Sequence, residues 1–293
     1  MKNVFSGLAI GCVVVLQNAY AQEQAVPETD SAAPVVMSTG TLGGGYWNAG
    51  NRLVEVSAGL GMTIEIVASA GSRENMERLM DPQSPVALAF VQADVAQHYV
   101  NENPGAREQV EEAENIGQEC VFILTGAQSG IDTMDDLAAN APDFTLGIKS
   151  ADSGIAATFQ FMARLQPGLD DIRVQYGDTQ PAMATLGEPD SEINAVMVLH
   201  RPKTHSPEVD FAIANPQKTR FVELEDQDLQ VALSNGEPVY RSMRLALPGL
   251  ESPVSTVCVK GLLLAHKTKL GVDQLNTLTD ITSYHWMKVF ATP

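Results

Sequence analysis

Basic residues are scarce: 18 Lys and Arg stand against 36 Asp and Glu in 293 residues, a formal charge of −18. Phosphate binding needs a face rich in Lys and Arg, so nucleic acid is excluded as a partner, and direct lipid binding with it. Long apolar runs are also missing. Beyond residue 21 no window approaches the roughly 18 apolar residues of a membrane helix. The common catalytic signatures are absent as well. Gly126-Ala127-Gln128-Ser129-Gly130 has its serine one place late for a nucleophile elbow, no Gly-Lys pair can form a P-loop, and no G-x-G-x-x-G follows a strand. His200 and His205 are the nearest approach to a metal pair, but Pro202 and Pro207 prevent a helix that would put them on one face. No catalytic residue, metal or cofactor is expected.

What is present is globular composition, 44% hydrophobic and 18% charged. Residues 1–21 read as an export signal: Lys2, an apolar stretch over Val4–Leu16, then Ala19-Tyr20-Ala21 as a small-x-small site. Cleavage between Ala21 and Gln22 is expected. Lipid attachment at Cys12 is the weaker alternative, because the apolar run continues past it. A proline-spaced polar lead-in occupies residues 22–34. Export places the two remaining cysteines, Cys120 and Cys258, in an oxidising compartment. They are either one disulfide between β-like runs 138 positions apart or two buried thiols.

From Val35 the chain alternates strand and helix. Val35–Ser38 is a strand, Tyr46–Ala58 a helix, Met62–Ala70 a strand, Gly71–Met80 a helix, and Val86–Val91 a strand apolar throughout. Continuous apolarity suggests burial on both faces, as in a parallel sheet. A Glu-rich stretch, Arg107–Glu114, then separates this unit from a second series running from Cys120 to Leu199. A late apolar strand, Thr256–Ala265, and a helical segment, Val272–Val289, close the chain. The expectation is two α/β lobes around a ligand cleft. Residues 35–124 with 221–293 form lobe 1, and 125–220 form lobe 2.

The turn Thr39-Gly40-Thr41-Leu42-Gly43-Gly44-Gly45-Tyr46 joins a strand to a helix, and its glycines let N–H groups converge at a helix N-terminus. Together with Ala70-Gly71-Ser72-Arg73-Glu74-Asn75 and Val91-Gln92-Ala93-Asp94-Val95-Ala96, it resembles the TAXI family, extracytoplasmic solute receptors of TRAP transporters. Later blocks at Ile193-Asn194-Ala195-Val196 and Pro253–Leu264 are similar to that family too. The usual P-G-S-G-T of the second lobe reads Ala151-Asp152-Ser153-Gly154-Ile155 here, which leaves the ligand open.

The resemblance implies a type II periplasmic-binding-protein fold and a monomeric receptor. Its partners would be a small anionic solute, of the glutamate, glutamine or dicarboxylate class, and TRAP-type permease subunits in the membrane. It implies ligand contacts at Thr39, Gly40, Tyr46, Ser72, Asn75, Gln92, Ser153, Gly154 and His200. Bland readings stand beside these: turn geometry for Thr39 and Gly40, core packing for Tyr46, helix capping for Ser72 and Ser153, exposure for Asn75. Asp94 is expected at a cap or in solvent. Arg73, Lys149 and Arg201 are candidate cations for an acidic ligand. An ABC-importer receptor, a signalling ectodomain and a secreted enzyme on a similar scaffold are the alternatives.

Overall fold

The computed structural model describes residues 33–202, 206–225, 229–232 and 236–291. The export signal, the Ala21 and Gln22 cleavage point, His205 and most of the lead-in lie outside the described residues.

Val35–Ser38 (β1), Ile64–Val67 (β2) and Val86–Gln92 (β3) lie parallel in the order β2-β1-β3. Helices Gly45–Ala58 (α1) and Ser72–Met80 (α2) are the crossovers. All seven residues of β3 are buried, because helices cover both faces of the sheet there. α1 turns Ala49 and Leu53 against Met37, Phe90 and Leu263 on one face, and α2 sets Met76 and Leu79 on the other.

A helix follows β3 at once, Ala93–Glu102 (α3), which the sequence pattern does not disclose. The Glu-rich stretch, expected to separate two units, is instead one helical turn, Ala106–Gln109 (α4), and the start of a 17-residue strand, Val110–Gly126 (β4). Among the described residues, the first half of β4 pairs on one side only, with the last long strand. Glutamates suit that open edge, since charge discourages pairing with another chain.

The second lobe holds Thr145–Ile148 (β5), Arg173–Tyr176 (β6) and Ala195–His200 (β7), parallel in the order β7-β5-β6. Around them lie Met134–Ala139 (α5), Gly154–Leu165 (α6), Gln180–Thr185 (α7) and Pro207–Ala214 (α8). Thr219–Phe221 (β8) pairs with β4, and Tyr240–Leu245 (β9) with Val254–His266 (β10). Val272–Tyr284 (α9) and Trp286–Val289 (α10) follow, two helices where one segment was expected.

β4 and β10 run antiparallel through both lobes. In β10, residues 261–265 pair with β3 and residues 254–259 with β9, while residues 120–125 of β4 pair with β7. The expected boundary after residue 124 therefore falls inside a continuous strand. Gly117 faces Gly261 where the register of the pair shifts, and Gly117 has φ +114°, a conformation that a side chain would strain. Three residues on, Cys120 faces Cys258, and a disulfide joins them. The architecture is the type II periplasmic-binding-protein fold, two α/β lobes around a ligand cleft. α6 of the second lobe packs on α2 and α3 of the first, and Met76, Val95, Ala156, Phe159 and Met162 share one apolar cluster.

Candidate functional site

A cavity of about 270 Å³ lies in the cleft. Three helices of 14, 9 and 12 residues, α1, α2 and α6, begin at its wall with Gly45, Ser72 and Gly154. First-turn N–H groups of a helix have no acceptor within it, and their partial positive charge favours an anion. Ser153 caps α6: its hydroxyl accepts from the Ala156 N–H at 3.3 Å and donates to the Ser150 carbonyl at 2.6 Å.

Behind the wall runs a buried polar chain. Ser72 Oγ donates to Gln92 Oε1 at 3.0 Å and accepts from the Gln92 backbone N–H at 3.1 Å. Gln92 Nε2 donates to Thr158 Oγ1 at 3.2 Å, on α6, and Thr158 donates on to Asp94 Oδ2 at 2.7 Å. Tyr240 Oη reaches the same Asp94 oxygen at 2.9 Å. This chain links the lobes. Ser72 is thus the first residue of α2 rather than its cap, a position taken by Gly71, and its hydroxyl is committed to Gln92. Asp94 is fully buried, which corrects the expectation of a cap or solvent position. Burial pushes its carboxyl up, and bonds from Thr158, Tyr240 and the Val95 N–H pull it back.

The lobes touch with glycine on each side. A Cβ on Gly71, whose φ is +145°, would lie 2.8 Å from the Gly154 nitrogen, and one on Gly154 would lie 1.8 Å from Gln92 Oε1. Only a bare backbone fits at this contact.

Of the residues implied as ligand contacts, Gly40, Tyr46, Ser72, Gln92, Ser153 and Gly154 line the cavity. Thr39 and Asn75 lie fully buried beneath it. Thr39 Oγ1 donates to the Val67 carbonyl at 3.0 Å. Asn75 accepts from Ser38 Oγ and donates to the Thr39 and Phe90 carbonyls, so both residues brace the β1–α1 turn. His200 does not line the cavity. Its ring stacks on Phe122 at 4.9 Å, and its Nδ1 lies 2.9 Å from the Arg201 carbonyl oxygen. Of the candidate cations, Lys149 lines the cavity as an exposed residue. Arg73 bonds Gln160 on α6, and Arg201 bonds the carbonyls of Ile116 and Phe290.

Glu119 is a charged lining residue absent from the expected contacts. Its Oε2 accepts from Tyr46 Oη at 2.9 Å. Burial pushes this carboxyl up to about 7, against the pull of the Tyr46 bond and the Arg201 charge, with Asp94 pushing further. Burial and the Glu119 carboxylate hold the Tyr46 hydroxyl well above the usual tyrosine range. The available signal was a carboxylate set directly before the unbroken apolar run Cys120–Leu124, where a charge needs a reason. Among the described residues, no group of three or more His, Cys, Asp or Glu could hold a metal ion.

No protein-family model and no curated protein matches the chain. Solved structures do. The chain is similar to the GluR0 ligand-binding core from Nostoc punctiforme, in complex with L-glutamate, at 11% identity over 88% of this chain and 97% of that one, TM-score 0.49. It is similar to MatC from Rhodopseudomonas palustris with bound malate at 15% identity, covering 87% of each chain, TM-score 0.47. A TctC solute binding protein from Polaromonas is 16% identical over 87% of this chain and 85% of that one, TM-score 0.45.

Proposed function

We propose that this protein is an extracytoplasmic solute receptor. It captures a small organic anion between its lobes and hands it to a TRAP-type membrane permease. The observation that carries the reading is the convergence of the α1, α2 and α6 N-termini, from both lobes, on one cavity of about 270 Å³. Such an arrangement suits a carboxylate, and the volume suits a molecule of amino-acid or dicarboxylate size. Lobe 1 would comprise residues 35–124 and 221–293 and lobe 2 residues 125–220, with the crossing β4 and β10 as the linkers. The three TAXI-like sequence blocks support the transporter type, and the export signal supports the location. Ligand binding would favour the closed arrangement by contacting both lobes at once. The reading assigns capture and release, with no covalent step.

The test is thermal unfolding with glutamate, glutamine, 2-oxoglutarate and C4-dicarboxylates. At a ligand concentration about 100 times Kd, stabilisation is about 2.7 kcal/mol, a shift on the order of 5–10 °C for a chain of this size. Replacing Ser72 or Gln92 with Ala shrinks that shift. Absence of a shift with every panel member, or turnover of one seen by NMR, sinks the reading.

A further inference from the structure

We propose that Glu119 makes the cavity select a zwitterion, a solute whose ammonium group sits on Glu119 while its carboxylate meets the helix N-termini, over a dicarboxylate of the same length. This rests on the reading of the cavity as a solute site and narrows its ligand class.

Two side chains of fixed charge type line the cavity, Lys149 and Glu119. Lys149 is exposed, so water screens much of its charge, whereas Glu119 is only partly accessible. A site for dianions would be expected to carry cations alone. A carboxylate offers about four acceptor positions, and the Tyr46 hydroxyl fills one on Oε2 of Glu119. An ammonium brings donors and a positive charge to such a group, which offsets the cost of keeping a carboxylate partly out of water. A second carboxylate in its place would face Glu119 as a like charge and force one of the two to hold a proton. Tyr46 positions the group from α1, and Gly261 makes room: a Cβ there would lie 3.3 Å from Tyr46 Oη. Arg201 bonds carbonyls of Ile116 and Phe290 and steadies Glu119 by its charge.

The experiment compares L-amino acids with the 2-oxo acids of the same skeleton, in which a carbonyl replaces the CH–ammonium group. Glutamate with 2-oxoglutarate, alanine with pyruvate, leucine with 4-methyl-2-oxopentanoate, and succinate as a dicarboxylate are titrated calorimetrically. The expected result is that the bound amino acid exceeds its oxo partner by about tenfold or more, the range of a hydrogen bond to a charged group. Glu119→Gln, which keeps the Tyr46 bond, reduces that preference to about threefold or less. A 2-oxo acid or succinate bound as tightly as any amino acid leaves a receptor and overturns this inference alone. So does a Glu119→Gln protein that melts normally and keeps the preference. Binding by no member of any pair overturns the cavity reading as well.

Discussion

Glu119 stands under two opposed pressures. Burial favours its protonated form, with a pKa of about 7, while a bound ammonium would favour the carboxylate. Tyr46, Arg201 and Asp94 are the titratable and charged groups that act on it, with Lys149 in the same cavity. A carboxyl whose folded pKa is raised contributes stability that is present at low pH and lost as pH rises through about 7. Relative to Glu119→Gln, the ligand-free protein therefore gains stability as pH falls from about 8, through the folded value of about 7, to the ordinary carboxylate value of 4.5. Its affinity for an amino acid falls over the same interval, because the acid must first give up its proton. Denaturant titration and calorimetry across that interval check both slopes, and matching profiles for wild type and variant would refute them. Gln92 was legible in the sequence through the family-like block Val91–Ala96 that follows an apolar strand. The burial of Asp94 was not, because its partners Thr158 and Tyr240 are 64 and 146 positions away.

Among the elements, the starts of α2 and α6 meet with no room for a side chain at Gly71 or Gly154. Gly154→Ala would press a methyl group on the Gln92 amide and break its bonds to Ser72 and Thr158. The expected cost is about 1–3 kcal/mol in stability, with solute affinity lowered about tenfold or more. Denaturation and calorimetry read the two effects, and near-normal affinity would show that Gln92 has room to move. Strands β1 and β3 were legible as short continuous apolar runs, and helices α1, α2 and α6 because apolar residues recur at helical spacing. α3 was hidden, since its buried positions, Ala93 to Val95, are bunched at its start. β9 alternates weakly around Arg241 and Arg244, and the first half of β4 carries edge glutamates, so neither shows an apolar strand pattern. The β1–α1, α2 and α6 ends of the site could be read from glycines and serines. The Glu119 end was marked only by a carboxylate before an apolar run, and placing it in the site depends on β4 running unbroken between lobes.

At the scale of the whole molecule, the disulfide spans 138 positions and sits on the pair of crossing strands. Loop-closure arithmetic for such a span allows about 4–5 kcal/mol, and loss of a bridge of this kind costs about 2–5 kcal/mol. Cys120→Ser with Cys258→Ser is expected to lose that much in denaturant titration, and wild type under reductant to fall to the same midpoint. A variant as stable as the oxidised protein would show that the crossing strands hold without it. The bridge also turns residues 120–258 into a closed covalent ring containing the strands and helices of the second lobe. Proteases cut exposed loops before cores, and one cut anywhere in a ring opens it without releasing a piece. The proposed receptor, nicked once in that lobe, would still keep both walls of its cleft on a single molecule.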